Sequence, residues 1–314
     1  MIDFSKATKN TNKKILFCEP DPRIIEAAAK ARAHGLQPIL IGEEEAYRQA
    51  AQDQEQLSNL DIQPINAQQY VEEYYALRKH KQITREDAQQ ALQDPATYCC
   101  MHLRAGAADG LVAGATWPTA NTLRPALQTL NQGLASSYFV MQTTKGNYLF
   151  GDCALNVQPT SEELAQIAIN TAQAAKQMGV EARVAMLSFS TQGSAAHEEQ
   201  QKVAQATTAV KKYAEDNNHD WTISGELQAD AALNPAVAKS KAPNQAIQGD
   251  ANILIFPDLD AGNIGYKLVQ QYADAQAVGP IITNLQRPVN DLSRGANAQE
   301  IYEVALITAW QSNN

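Results

Sequence analysis

Long apolar runs are missing from this chain. No window approaches roughly eighteen uninterrupted apolar residues, which excludes a bilayer-spanning helix. The opening residues, Met1-Ile2-Asp3-Phe4-Ser5-Lys6, lack the apolar segment of a secretory signal, so a soluble cytoplasmic protein with no membrane partner is expected. Aromatic residues are scarce, at 6%, while alanine is abundant, a balance that favours helices packed on sheets over an all-β barrel. Cysteine is limited to Cys18, Cys99, Cys100 and Cys153, with no C-x-x-C pair, so neither a zinc knuckle nor a disulfide scaffold is expected. His34, His80, His102, His197 and His219 fall in no H-E-x-x-H or similar spacing, and no bound transition metal is expected. No G-x-G-x-x-G follows a strand, no Walker lysine loop occurs, and there is no G-x-S-x-G elbow. Positive charge is also short. Against 34 Asp and Glu stand 25 Lys and Arg, giving a net charge of -9, so no nucleic-acid partner is expected. That balance still leaves room for a few arginines to hold a phosphate in one site.

What is present is an alternation of short apolar runs with longer helical patterns. A chain of 314 residues suits two domains. Ile15-Leu16-Phe17 reads as a buried strand, Pro22 to His34 as a helix closed by Gly35, and Pro38 to Ile41 as a second strand. This β-α-β unit implies a parallel sheet. The stretch Glu43 to Gln69 reads as surface helix and loop, and Thr84 to Arg104 as helical. Gly110 to Ala113 reads as a strand that leads into a helix near 120–130. Ser137 to Met141 and Tyr148 to Phe150 read as a hairpin around Lys145-Gly146-Asn147. Thr160 and Glu163 form a capping box for a helix that Gly179 closes. Further strands are expected at Val184 to Leu187, Ile253 to Phe256 and Pro280 to Ile282, and helices near 195–215, 264–273 and 298–310. The class is α/β, with two doubly wound domains. The expected division is residues 1–135 plus 296–314 for the first and 136–295 for the second.

Open α/β sheets bind ligands beyond the carboxyl ends of their strands, so the segments there carry the candidate chemistry. Gly114 to Pro125 holds Thr119, Asn121 and Arg124 at a helix start. It reads either as an ordinary cap with a solvated arginine or as an anion cradle. Ser188 to Ser194 brings together Ser190, Thr191, Gly193 and Ser194, as a capped helix start or as a phosphate or pantetheine contact. Pro257 to Lys267 contains Asn263, Tyr266 and two glycines, and its Asp258 and Asp260 are weak evidence for a metal. Pro288 to Gly295 crowds Asn290, Asp291, Ser293 and Arg294 before the last helix. It reads as a capped turn or as a loop in which Ser293 donates to an oxyanion and Arg294 neutralises phosphate. Arg78, Lys79, His80 and Lys81 form a basic run that by itself reads as a solvated face.

Taken in order, these segments resemble the phosphate acetyltransferase family. The likeness lies in Ala108 to Gly114, Asn121 to Leu127, Gly151 to Asn156, Ala185 to Thr191, Gly225 to Gln228, Phe256 to Leu259, Gly262 to Lys267, Gly279 to Ile281 and Pro288 to Gly295. Each is weak alone, and together they are specific. The resemblance implies two α/β domains with a cleft between them, similar to isocitrate and isopropylmalate dehydrogenases, in a homodimer. It implies reversible acetyl transfer between acetyl phosphate and coenzyme A, with phosphate as the other product. No metal or nucleotide cofactor is implied, coenzyme A being a substrate.

The same resemblance implies that Ser293 stabilises the transition state, that Arg294 serves binding and catalysis, and that Arg78 and Arg124 bind coenzyme A or acetyl phosphate. Where the family commonly places an aspartate that takes the thiol proton, this chain has Glu300, one methylene longer, and Gln192 is a second departure. Two other readings stay open: a phosphate butyryltransferase-like enzyme with a longer acyl group, and a non-catalytic acetyl-CoA-sensing domain. A dehydrogenase of the same broad fold is disfavoured, because its metal-binding carboxylates are not evident.

Overall fold

The computed structural model describes residues 12–313, so the reading of the first six residues falls outside it. The described residues separate into two compact units, one running from Leu134 to Asn284 and the other holding those before Leu134 and after Asn284.

The latter unit opens with β1 (Lys14–Phe17), α1 (Pro22–Ala33), β2 (Gln37–Ile41), α2 (Glu44–Ala50), α3 (Gln54–Ser58) and β3 (Asp61–Gln63). It continues with α4 (Val71–Arg78), α5 (Arg85–Ala91), α6 (Pro95–Arg104), β4 (Gly110–Ala113) and α7 (Thr119–Thr129). The other unit carries β5 (Asn131–Thr143), β6 (Gly146–Gly151), α8 (Ser161–Gln177), β7 (Arg183–Leu187), α9 (Glu198–Asp216) and β8 (Thr222–Leu227). Its remaining elements are α10 (Ala229–Leu233), α11 (Pro235–Lys241), β9 (Ile253–Ile255), α12 (Leu259–Tyr272) and β10 (Gln276–Leu285). The chain then returns to the first unit as β11 (Val289–Asp291) and α13 (Ala298–Gln311).

The first sheet has the order β11-β4-β1-β2-β3, all parallel. Its central strand β1 is apolar on both faces because helices cover both, and Ile15, Leu16 and Phe17 have no exposed surface. On α1, Asp21 caps the N-terminus and Pro22 occupies the first turn, while Ile24, Ile25, Ala27, Ala28 and Ala31 form the buried stripe. Burying each isoleucine side chain is worth about 1.5–3 kcal/mol. Helix α13 packs against α1 and β4, which ties the end of the chain to its beginning.

The second sheet has the order β10-β5-β6-β9-β7-β8. β5 and β6 form the expected antiparallel hairpin, and β6, β9, β7 and β8 run parallel. The Thr160–Glu163 capping box opens α8 as read, with both reciprocal bonds made.

Three expectations change. The segment 285–295 belongs with the first unit, because Val289–Asp291 pairs in register with Leu111–Ala113 of β4. Helix α12 starts at Leu259, capped by Asp258, so the segment expected as a loop is mostly helical. Helix α9 begins only at Glu198, which lengthens the loop before it. The elements β3, α4, β8, α10 and α11 add to the expected set. Among the described residues, no helix is long and apolar enough to cross a membrane.

Candidate functional site

The parallel strands β11, β4 and β1 deliver three loops to one edge of the first sheet. Each loop is held by groups from the others. The Glu19 carboxylate, just beyond β1 and 1% exposed, accepts the backbone N–H groups of Gly114, Ala115 and Thr116 at 2.6, 3.0 and 2.7 Å. It also accepts the Thr116 hydroxyl at 2.6 Å. Glu19 thus takes the backbone donors of the loop before α7, while the helix start expected as an anion cradle begins later, at Thr119.

Arg23 completes the tie. Its guanidinium grips Asp21 through Nε (2.9 Å) and Nη2 (3.0 Å), and donates to the carbonyls of Arg294 (3.0 Å), Ala296 (2.8 Å) and Ala115 (3.1 Å). Burial pushes the Asp21 carboxyl up, but the Arg23 guanidinium and backbone N–H hold it below the usual carboxylate range, and Asp21 in turn raises Arg23.

Ser293, Arg294 and Gly295 are exposed at the head of this arrangement. The Ser293 hydroxyl accepts the Gly295 N–H at 3.4 Å, and the Ser293 carbonyl accepts the Ala296 N–H at 2.9 Å, so the run is a turn that presents both side chains outward. The Arg294 side chain makes no hydrogen bond or ion pair among the described residues. Thr119, Asn121 and Arg124 are exposed on the first turns of α7, which begins beside this turn's supporting strand β11.

The other residues of the same run point inward. Asn290 has no exposed surface and donates to Thr308 (2.8 Å) and Gln311 (2.7 Å) on α13, a packing role. Asp291 is 1% exposed, and neither carboxylate oxygen has a hydrogen-bond partner. Its Oδ1 lies against Gly114, whose φ of +103° and close approach leave no room for a Cβ. Burial pushes the Asp291 carboxyl up to about 6, and the negative charge of Glu19 adds to the shift. The nearby Thr119 and Thr122 hydroxyls and the Leu292 N–H oppose it.

Glu300 is the third residue of α13. Its Oε2 accepts the Asn297 N–H at 2.9 Å, while the Asn297 side chain accepts the Glu300 N–H at 3.0 Å. The carboxylate is thus fixed by the helix cap with Oε1 uncommitted. Arg78 ends α4 beside the Tyr74 hydroxyl, which burial raises and the arginine's charge lowers. No hydrogen bond or ion pair joins Arg78 to the Ser293 turn among the described residues.

In the second unit, the loop after β7 is internally bonded. Ser190 (1% exposed) shares a hydrogen bond with Ser194 at 3.1 Å, and Thr191 accepts the Gln228 N–H at 2.9 Å. The Gly193 N–H donates to Glu226 at 2.6 Å. Ser194 and Gly193 remain exposed, next to Phe189. Asp152 likewise accepts the N–H groups of Ala154, Leu155 and Asn156 at 3.0, 3.2 and 3.1 Å. On α12, Asn263 donates to the Cys153 carbonyl (3.1 Å) and accepts Lys267 (2.8 Å). Tyr266 stacks on Phe139 at 4.3 Å. Gly262 lets α12 meet the Asp152 carbonyl where any Cβ would collide.

Glu19 and Arg23 were not among the expected site residues, while Asp152 and Glu226 fell inside resembling stretches without a role of their own. A signal existed for both Glu19 and Arg23, since Glu19-Pro20-Asp21-Pro22-Arg23 directly follows the central strand. Among the described residues, no three His, Cys, Asp or Glu side chains stand together as a metal site.

The family profile described as phosphate acetyl/butaryl transferase matches residues 2–309. The phosphate acetyltransferase of Bacillus subtilis (strain 168) is 44% identical over 309 residues, covering 95% of this chain and 94% of that protein. The solved structure of the EutD phosphotransacetylase from Staphylococcus aureus aligns with a TM-score of 0.87 at 39% identity, covering 99% of this chain and 98% of that one. A phosphotransacetylase from Streptococcus pyogenes aligns at 0.89 and 39% identity, covering 98% and 97%.

Proposed function

This chain belongs to the phosphate acetyl/butaryl transferase family, and from that premise we propose that it is a phosphate acetyltransferase. It moves an acetyl group reversibly between acetyl phosphate and the thiol of coenzyme A. The observation that supports this most is the outward turn of Ser293 and Arg294, a hydroxyl donor and an unpaired guanidinium side by side beyond the carboxyl end of β11.

The chemistry needs three things. A thiol with a pKa near about 8.5 must lose its proton, the acetyl carbonyl must carry negative charge as the C–S bond forms, and the phosphate must leave as the C–O bond breaks. Glu300 takes the proton through Oε1, its other oxygen being fixed by the cap. Ser293 donates to the oxyanion, and Arg294 holds the phosphate, assisted by Arg124 and Arg78. Thr119 and Asn121 are exposed on the same unit as the Ser293–Arg294 turn and able to contact the substrates. Acetyl transfer is direct, within a ternary complex. None of the four cysteines serves as a nucleophile. All are buried, and burial raises the thiols of Cys100 and Cys153 well above their ordinary range. We further propose that the enzyme works as a cytoplasmic homodimer and that its units share the winding of isocitrate and isopropylmalate dehydrogenases.

The test is incubation of the purified chain with coenzyme A and acetyl, propionyl or butyryl phosphate, following thioester and released phosphate together. Equimolar thioester and phosphate, fastest with acetyl phosphate, is the expected result. Preference for butyryl phosphate would move the assignment to the longer acyl group. No thioester from any of the three would leave only an acetyl-CoA-sensing role.

A further inference from the structure

We propose that Arg23 is a positioning residue for acetyl transfer, acting through the backbone of the Ser293–Arg294 turn. The proposal rests on the function proposed above.

A guanidinium has five N–H donors in a rigid planar fork. In Arg23 all three nitrogens are engaged, and their partners come from three separate loops. Nε and Nη2 hold Asp21, which also caps α1 through the Arg23 N–H at 2.8 Å. Nη2 also reaches the Ala115 carbonyl of the loop after β4. Nη1 bridges the carbonyls of Arg294 and Ala296, on either side of Gly295. These partners lie 92, 271 and 273 positions away in the chain, so one side chain aligns segments that share no local structure.

The turn has little else to set its aim. Apart from the Ala296 N–H on the Ser293 carbonyl, Ser293 contributes one long side-chain contact to Gly295, and Arg294 contributes none from its side chain. The Arg294 carbonyl is fixed from below by Arg23, and the peptide that follows leads into the capped start of α13, where Glu300 sits. The fixed fork therefore links the directions of Ser293 and Arg294 to that of Glu300. Lysine would keep the charge but could not span three carbonyls and a carboxylate with one planar fork. The side chain of Arg23 is 31% exposed, so a small guanidinium ion can enter the space left by its removal.

Displacement of reacting groups by about 1 Å lowers rates on the order of a hundredfold. Arg23→Ala is expected to lower kcat by about tenfold to a hundredfold, with KM for both substrates held within about threefold. Methylguanidinium at millimolar concentration should restore several-fold of the lost kcat. Arg23→Lys should fold normally and show the same split, with kcat lowered and KM nearly unchanged. It keeps the test valid should the alanine variant fold poorly. Wild-type kcat in both variants would overturn the proposal. So would a loss that appears wholly in KM, or one that methylguanidinium leaves unchanged in a folded alanine variant. A wild-type chain that forms no thioester overturns the proposed function and this role with it, whereas an active wild type with full-rate variants overturns the role alone.

Discussion

Asp291→Asn should make the protein more stable at neutral pH and leave acid stability nearly unchanged. In the fold the Asp291 carboxyl titrates at about 6, because burial outweighs the nearby Thr119 and Thr122 hydroxyls and Leu292 N–H, and the charge of Glu19 adds to it. In the unfolded chain it titrates near about 3.9. The folded state therefore holds this proton more tightly. Above about pH 6 both states are ionised, and the fold bears the full cost of a buried, unpaired carboxylate. The cost shrinks as pH falls through the folded value and vanishes below about pH 4, where both states are protonated. The difference of about two pH units, at about 1.4 kcal/mol each, amounts to about 3 kcal/mol. Asparagine removes the charge while keeping the shape. Its amide must still find acceptors, and the Thr119 and Thr122 hydroxyls are the nearest, so the pH-dependent part is the clean signal. Urea unfolding of both proteins at half-unit steps from pH 4 to pH 8 measures it. The stability difference should grow by about 3 kcal/mol toward high pH, with most of the change between pH 4 and 6. A flat difference would refute the reasoning, because it would mean that Asp291 is paired and carries no strain.

Other outcomes follow from the same contacts. Glu300→Gln preserves the capping box, so the urea midpoint should stay near wild type while kcat falls at least about a hundredfold, the usual scale for a lost general base. A full-rate Glu300→Gln enzyme would remove the base role. Glu19→Ala strips the acceptor from three N–H groups and one hydroxyl, and should destabilise the first unit by about 3 kcal/mol or more in urea unfolding. Gly114→Ala combines an unfavourable positive φ with a collision on Asp291, and should cost at least about 1–3 kcal/mol by the same measurement. Asp21→Asn weakens the Arg23 grip. The native pairing lowers the Asp21 carboxyl, so its contribution is present at neutral pH and fades as pH drops below about 4. The stability gap between this variant and wild type should therefore close in acid.

Local signals made much of the architecture legible. The Thr160–Glu163 box, the Pro22 start and Gly35 stop of α1, and the apolar β1 strand each act within a few residues, and each stands where the pattern placed it. The Pro288–Gly295 run divides into two parts. Asn290 and Asp291 belong to a short buried strand, while Ser293 and Arg294 form an exposed turn. A three-residue strand has too little periodicity to announce itself, and its pairing with β4 is what moved the unit boundary from 295 to 285. The hydroxyl-rich loop after β7 was visible as composition, but its internal bonding was not, since Thr191 meets Gln228 and Gly193 meets Glu226 across strands. Glu19 and Arg23 stood in a run visible after the central strand, but their long-range partners are mostly backbone groups far along the chain, which no local spacing encodes.

The central claim is that the Ser293–Arg294 turn performs acetyl transfer, and the turnover number of Arg294→Ala tests it most directly. With coenzyme A and acetyl phosphate both saturating, kcat should fall about a hundredfold or more while the urea midpoint stays at the wild-type value. A folded Arg294→Ala protein with unchanged kcat would contradict the account.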